Sequence, residues 1–544
     1  MRSARALATL LFLAAFAAGC SRQSQPQAVL NEAIFSEPAS FDPRAQVDAE
    51  TYGIMYAIYN TLVELDDSMK IAPALAERWE SKDFKTWRFV LRSDVKFQKD
   101  KNFKTSDETR TVTARDIEYS LNRALQPGGV GAFVLTDIVE GAKAVNDGKA
   151  TSASGIKAVD DRTLEIALTK PYSKLLERLA TPFLFIVPRE AVEAYGDGFG
   201  RHPVGTGAFQ LDSISPGQAV RLKRNALFWR SEGGARLPYL EGINFRVFRD
   251  PQAAVNEFRA GNLDTIEVPP TLAGTVLKDG RLLPDYQKFR LMETVALDSH
   301  YYAFRMDRPP FRNNAALRRA LNLAVDKQRI ANTLLNGLAR PSIGVLPPGV
   351  YPDVKRQAVY SYDPEQARKA LAEAGHPGGK GLPELVLAID DKATTAIVAQ
   401  YVQSSLKEIG VNVRLRKSDF NTLLAEVGQG KADFFYMFWE GTDPNAEIFM
   451  VQFKSDLLPE KGGYNFGRYS NPKADALYAA AVAELDGARA QAKWLEMQDT
   501  VVGDVPWVFL YHTTRMRLLQ PTISGYEHNP VQIRRYVMTK KAAP

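Results

Sequence analysis

The chain has 544 residues, enough for three or four units of domain size. Hydrophobic residues make up 45% and charged residues 24% of it, which excludes bulk disorder and a membrane protein with many spans. The formal net charge is only +6, and basic clusters are as short as Arg534 and Arg535, so we expect no nucleic-acid partner. One cysteine and five histidines exclude a disulfide framework and a Cys-rich metal site, and we expect neither metal nor cofactor.

The first residues have the layout of an export signal. Arg2 and Arg5 precede an apolar run of 13 residues, 6–18, which is too short for a bilayer-spanning helix of about 20 residues. Residues 1–19 are therefore predicted to be a signal peptide, and the polar stretch 20–28 a flexible tether.

The only cysteine, Cys20, stands where a signal peptidase would cut. The sequence AAGC at 17–20 resembles a bacterial lipobox, although the more common leucine is replaced by Ala17. This resemblance implies that Cys20 receives a lipid and anchors an exported protein in the periplasm or at the outer face of the cell membrane. An ordinary secretory signal with an incidental buried cysteine is the alternative.

Strand and helix patterns alternate along the rest of the chain, which predicts an α/β fold. Residues 87, 89 and 91 and residues 164, 166 and 168 alternate as half-buried strands do. Thr113 and Asp116 form the pattern of a capping box before a helix. Asp363, Pro364 and the later Gly375 mark the start and the stop of another helix.

The clearest unit is a predicted β-α-β-α-β succession. It has strands at 385–389, 411–415 and 434–439 and helices at 394–409 and 422–427. Such units form parallel sheets, whose ligands lie beyond the carboxyl ends of the strands. Trp439, followed by Thr442 and Asp443, occupies such an end, so we expect an exposed indole beside an acidic turn in a binding site. A buried tryptophan with a capping aspartate is the alternative.

Catalytic motifs are absent or weak. The chain has no G-x-S-x-G elbow, no H-E-x-x-H and no phosphate loop. The sequence SSLK at 404–407 matches the S-x-x-K pattern of penicillin-interacting enzymes, but its place in an amphipathic helix explains it without chemistry. His300 is a weaker candidate for a general base. We expect a protein that is not an enzyme, with an exported hydrolase using Ser404 or distant carboxylates as the alternative.

Residues 31 to about 530 resemble the family 5 solute-binding proteins, the dipeptide- and oligopeptide-binding components of bacterial ABC importers. The order and spacing of nine short segments carry the resemblance. They are EPASFDP (37–43), IYNTL (58–62), ALAERW (74–79), TWRF (86–89), DVKF (94–97), VTARD (112–116), GTGAF (205–209), RRA (318–320) and AVDK (324–327).

The resemblance implies a periplasmic binding protein fold (class II, type C cluster) with two hinged lobes and an extra subdomain in the first lobe. The implied limits are 29–60, 196–295 and 506–544 for domain I, 61–195 for domain II, which is the extra subdomain, and 296–505 for domain III. It also implies a monomer that captures peptides or peptide-like solutes and delivers them to permease subunits with their ATPases. A sugar, an opine or a metal chelate is the alternative ligand within the same fold.

The resemblance also implies a set of ligand contacts. In the family a Trp lines the pocket before an acidic residue that pairs with the peptide amine. Trp439 matches the Trp, while the acidic position falls on Thr442 unless the turn shifts by one residue to Asp443. Tyr436 replaces an Arg that binds carboxylate in oligopeptide binders. A strand at 37–40 and three aromatic positions complete the implied contacts: Glu37, Pro38, Ala39, Phe133, Tyr302 and Tyr511.

Overall fold

The structure is a computed structural model that describes residues 28–278, 280–357 and 359–542. The predicted signal peptide, Cys20 and all but the last residue of the predicted tether lie outside the described residues. No helix within the described ranges has the length and apolarity needed to cross a bilayer.

The strands are between two and thirteen residues long. They are β1 (Val29–Ile34), β2 (Val63–Leu65), β3 (Ile71–Pro73), β4 (Ala76–Glu80), β5 (Thr86–Leu91), β6 (Ile156–Ala158), β7 (Thr163–Ala167), β8 (Phe209–Ser215), β9 (Ala219–Arg224), β10 (Ser231–Glu232), β11 (Ala235–Arg236), β12 (Gly242–Val247), β13 (Thr265–Glu267), β14 (Leu277–Lys278), β15 (Arg281–Leu282), β16 (Arg290–Val295), β17 (Asp298–Phe304), β18 (Ala339–Pro341), β19 (Leu385–Asp390), β20 (Val413–Ser418), β21 (Phe434–Glu440), β22 (Trp507–Leu519), β23 (Ile523–Ser524) and β24 (Lys540–Lys541).

The α-helices lie between these strands. They are α1 (Ala49–Ile58), α2 (Ala114–Leu125), α3 (Ala132–Leu135), α4 (Ala142–Asn146), α5 (Leu175–Leu179), α6 (Arg189–Tyr195), α7 (Pro251–Arg259), α8 (Ala273–Val276), α9 (Ala315–Leu323), α10 (Lys327–Arg329), α11 (Pro364–Glu373), α12 (Ala393–Glu408), α13 (Phe420–Gly428), α14 (Ala446–Met450), α15 (Pro472–Ala483) and α16 (Gly487–Asp504).

The largest sheet has twelve strands, ten of them in the order β20-β19-β21-β17-β22-β13-β1-β12-β9-β8, with β16 and β18 also paired to β22. The long strand β22 is its centre. Its first half pairs with β17 and its second half with β13 and β16. One continuous strand therefore joins the part of the sheet that contains β19–β21 to the part that contains β1 and β12.

The predicted β-α-β-α-β unit is confirmed. Strand β19 pairs in parallel with β20 on one side and with β21 on the other, and helices α12 and α13 connect them. The predicted bounds differ from the observed ones by a few residues. Because the strands run parallel, the end of β21 lies at the same edge of the sheet as the end of β19.

The local patterns that predicted two helices are also confirmed. Thr113 donates its backbone N–H and its hydroxyl to the Asp116 carboxylate at 2.8 and 2.9 Å, at the start of α2. Asp363 accepts from the backbone N–H of Gln366 at the start of α11. The predicted strands at 87–91 and 164–168 are β5 and β7, which pair in a separate four-stranded sheet.

The described residues form three apolar cores. One joins residues 30–245 to residues 519–537; a second lies within residues 297–511. A small third core packs α7 and its neighbours against the end of β22. The residue limits given above for the three domains stay predictions.

A buried carboxylate ties the first strand to the end of the chain. Glu32, in β1, is 0% exposed and accepts hydrogen bonds from four side chains, all supplied by residues beyond 516. They are Arg517 Nη1 at 2.9 Å, Arg534 Nη1, Tyr526 Oη at 2.9 Å and Tyr536 Oη at 3.1 Å. Because β1 pairs with β12 and β13, this cluster fixes the C-terminal segment against the large sheet.

We expect Glu32→Ala to lower the free energy of unfolding by about 3–5 kcal/mol, because it leaves two buried guanidinium groups without their shared carboxylate. Glu80→Ala, which removes an exposed carboxylate from β4, is the matched control and should cost less than 1 kcal/mol. Urea unfolding measures both. Equal losses would show that the Glu32 cluster contributes nothing beyond an ordinary surface charge.

Candidate functional site

The end of β21 and the turn after it contain Trp439, Thr442 and Asp443, the three residues that the sequence singled out. Trp439 is the last but one residue of β21 and is half-buried rather than exposed, with its Nε1 buried and lacking a hydrogen-bond partner among the described residues. The chain then turns at Gly441, whose N–H donates to the Leu297 carbonyl at 2.7 Å. A Cβ at Gly441 would lie 2.7 Å from the Phe449 ring, so glycine permits the close packing of this turn.

Asp443 lies buried below this turn. It is 2% exposed, and its Oδ2 accepts from Thr442 Oγ1 at 3.3 Å, while its Oδ1 has no partner among the described residues. Burial, and next the negative charge of Glu177, raises the pKa of Asp443 to about 7, although Arg178 opposes the shift. An added cation or hydrogen-bond donor stabilises the ionised form of such a buried carboxyl group.

Trp439, Thr442 and Asp443 line a cavity of about 570 Å³. Its first wall, from residues 133–183, includes the predicted contact Phe133, which is 56% exposed. Its second wall comes from residues 439–482. The two walls are more than 250 residues apart in sequence, so the cavity exists only because the two segments meet.

A carboxylate joins the two walls. Glu447 Oε2 accepts from Tyr172 Oη at 2.6 Å, and its Oε1 accepts from Arg178 Nη2 at 3.3 Å and from Tyr478 Oη at 3.2 Å. Arg178 also pairs with Asp137 at 2.8 Å. Burial alone would lower the pKa of Arg178, but Tyr172 and Glu447 raise it above its usual range. The ion pair therefore bridges the cavity.

The predicted strand at 37–40 is wrong. Strand β1 ends at Ile34, since the next two N–H groups, of Phe35 and Ser36, donate to the Glu50 carboxylate at 3.0 Å and Pro38 has no N–H to offer. None of Glu37, Pro38 and Ala39 lines the cavity. The Glu37 carboxylate instead accepts from the Gly217 N–H at 2.9 Å.

Two predicted aromatic contacts are core residues. Tyr302 is 0% and Tyr511 6% exposed, and both pack in the core of residues 297–511 without lining the cavity. The ring of His300 stacks on Tyr511 at 4.5 Å, and its nitrogens bond Tyr436 Oη and Thr513 Oγ1. His300 is thus a structural imidazole, while Ser404 lies exposed on α12.

The residues that sequence reasoning missed are the partners across the cavity: Tyr172, Arg178, Phe183, Glu447, Tyr464 and Tyr478. No motif or spacing marks them, because their roles come from contacts between distant segments. Within the described ranges no group of three or more His, Cys, Asp or Glu is arranged to hold a metal ion.

Comparison with known proteins identifies the family. Residues 70–457 match the description "Bacterial extracellular solute-binding proteins, family 5 Middle", which covers well over half of the chain. The chain belongs to family 5 of the bacterial extracellular solute-binding proteins. The family resemblance predicted from the sequence is therefore confirmed.

Relatives agree over nearly the whole length. A protein of Escherichia coli named "Probable deoxycholate-binding periplasmic protein YgiS" is 28% identical over 95% of this chain and 93% of its own. The "Glutathione-binding protein GsiB" of Salmonella typhimurium is 29% identical over 88% of this chain and 87% of its own. The solved Escherichia coli murein tripeptide binding protein MppA superimposes with a TM-score of 0.74 at 25% identity, over 95% of this chain and 99% of its own.

These comparisons confirm the predicted α/β fold of the periplasmic binding protein type. As a family 5 protein, the chain is an extracytoplasmic solute-binding protein and not an enzyme. The hydrolase alternative is therefore dismissed.

We expect Asp443→Asn to stabilise this family 5 protein increasingly between pH 4 and about 7. The folded-state pKa of Asp443, about 7, lies above the ordinary aspartate value of 3.8, so the wild type loses stability as pH rises through this window while the amide does not. The gain in free energy of unfolding levels off above pH 7, at no more than about 4 kcal/mol. Urea unfolding at pH 4.5, 6 and 8 measures it.

Asp391→Asn, at an exposed carboxyl, is the matched control and should leave the pH dependence unchanged. A stability gap between Asp443→Asn and wild type that is the same at all three pH values would contradict the assignment of the perturbed carboxyl to Asp443.

Proposed function

We propose that this family 5 protein captures peptides or peptide-like solutes between the two walls of its cavity and delivers them to the permease subunits of an ABC importer with their ATPases. The observation that carries the proposal is the Asp443 carboxyl, buried in the cavity wall with one oxygen unpartnered among the described residues. A ligand ammonium group would supply the missing cation. The GsiB and MppA names, which refer to glutathione and a murein tripeptide, support a peptide ligand.

The ligand holds the walls together by contacting both. Trp439 and Asp443 lie on the second wall, and Phe133 on the first. A solute that touches both walls gains all its contacts only when they meet, so it shifts the population towards the closed form. The permease then distinguishes loaded from empty protein by this closure.

The proposal includes the attachment of the protein. A lipid on Cys20 holds a monomer at the membrane, and residues 20–28 let the folded body reach its permease. The lipobox resemblance of 17–20 supports this anchor. Peptide delivery needs no catalytic group and no cofactor.

We expect Asp443→Ala to weaken binding of a free-amine tripeptide about 10- to 100-fold, the worth of a hydrogen bond to a charged group. The N-acetylated tripeptide should lose less than twofold. Wild-type affinity for the free-amine form should rise from pH 6 to pH 8, because the carboxyl, whose pKa is about 7, must ionise to pair with the ammonium. Isothermal titration calorimetry measures all three effects.

Asp137→Ala is the matched control for this experiment. Asp137 lines the same cavity but already pairs with Arg178, so its loss should not discriminate between the two tripeptides. If Asp443→Ala lost the same affinity for the free-amine and the N-acetylated tripeptide, Asp443 would not bind the peptide amine.

We expect Cys20→Ser to move the full-length protein from the membrane fraction to the soluble fraction without changing its Tm. Fractionation of cells, followed by thermal melting of the purified variant, measures this. Retention of the serine variant in the membrane fraction would disprove the lipid anchor.

A further inference from the structure

Most polar groups that line the cavity already bind one another. Arg178, Asp137, Glu447, Tyr172 and Tyr478 form the network between the walls. Four further polar groups are also engaged within the protein. Glu440 pairs with Arg515, Lys454 with Asp456, Asn445 accepts from the Glu447 N–H, and Thr181 donates to the Arg178 carbonyl.

Few polar groups remain for a ligand. They include Asp443 Oδ1 and Trp439 Nε1, both buried without partners among the described residues. The Tyr464 hydroxyl, Asn445 Nδ2 and the exposed Lys170, which makes no ion pair in the described ranges, also line the cavity. The acceptor of Asp443 and the donor of Trp439 lie four residues apart in one turn. They offer one end of a ligand a site for an ammonium group and a site for a neighbouring carbonyl.

The rest of the cavity is apolar, and an aromatic pair stands on each wall. On the first wall Phe133 meets Phe183 edge to face, with ring centroids 5.2 Å apart. On the second, Trp439 meets Tyr464 at 5.1 Å in the same geometry. Six aliphatic side chains complete the lining: Val134, Ile138, Ile448, Val451, Leu457 and Val482.

The exposure of these rings is unusual for side chains of their size. Phe133 is 56% and Tyr464 39% exposed, and each lies on a different wall of the same cavity. Covering large apolar side chains of a concave site with an apolar group removes their surface from water, which lowers the free energy. The two pairs therefore offer a place for a bulky apolar group of the ligand.

We propose that the cavity selects short peptides with bulky apolar side chains, which lie between the Phe133–Phe183 pair and the Trp439–Tyr464 pair. This inference rests on the proposed function and names its substrate class. Neutral hydrophilic side chains are disfavoured beside the aromatic pairs, since most polar groups of the walls are already bound to each other and burial would leave such side chains unpaired.

The test compares trileucine with trialanine, two peptides that share the same backbone and termini. We expect wild type to bind trileucine at least tenfold more tightly, from the burial of its larger side chains. Phe133→Ala should weaken the binding of trileucine about threefold to tenfold and change the binding of trialanine less than twofold. The ratio of the affinity for trileucine to that for trialanine should therefore fall. Phe133→Leu, which keeps an apolar wall, should retain most of the preference.

Tyr362→Ala removes another large ring, 46% exposed, outside the cavity, and should leave both affinities unchanged. Because Phe133 is so exposed, its replacement should not unfold the protein, and thermal melting checks this. Each variant is measured as the full chain by isothermal titration calorimetry.

The outcomes separate this inference from the function on which it rests. Equal affinity for the two peptides, or equal losses for both in Phe133→Ala, would overturn the apolar selectivity and leave peptide capture intact. Binding of neither peptide would overturn the proposed function as well. If the protein bound deoxycholate and neither peptide, the proposal of a peptide substrate would be wrong, and the apolar walls would instead contact a different apolar solute.

Discussion

The buried carboxylate of Glu32 is the interaction on which the arrangement of this protein depends. It joins β1, near the start of the described chain, to Arg517 at the end of β22 and to Arg534, Tyr526 and Tyr536 beyond it. Two buried guanidinium groups are tolerable there because both donate to the Glu32 carboxylate, and Arg517 also pairs with Glu267. The Tyr526 and Tyr536 hydroxyl groups donate to the other carboxylate oxygen. Since β22 also pairs with β17, and β17 with β21, the cluster sets the position of the strand that ends at the cavity.

The cavity lined by Trp439 and Asp443 differs from the Glu32 cluster in how completely its charged groups are paired. Around Glu447 the charged groups of both walls pair with one another, since Arg178 contacts both Glu447 and Asp137. Asp443, four residues earlier, is instead buried with an oxygen unpartnered in the described part of the chain. Burial raises its pKa, and under the proposed function a ligand ammonium group would offset the cost of this burial.

The sequence predicted helices and strands correctly where the evidence lay in neighbouring residues. The capping residues Thr113 and Asp363, the alternation in β5 and the apolar run of β21 all produced the elements they indicated, within a few residues. The strand expected at 37–40 failed because Glu50, from the next helix, accepts the N–H groups that a strand would have used. Tyr302 and Tyr511, taken as pocket residues by resemblance, lie in the core, where their rings pack with His300 and Tyr436.

By itself the sequence determined the α/β class, the family and the turn with Trp439 and Asp443, because periodicity, capping and family motifs involve residues that are close together in the sequence. Only the tertiary structure decided which side chains face that turn. Tyr172 and Arg178 reach Glu447 across a separation of about 270 residues, and Phe133 stands on the opposite wall from Trp439. Such contacts depend on how β22 and the Glu32 cluster bring distant segments together, and no pattern among neighbouring residues predicts which distant segments meet.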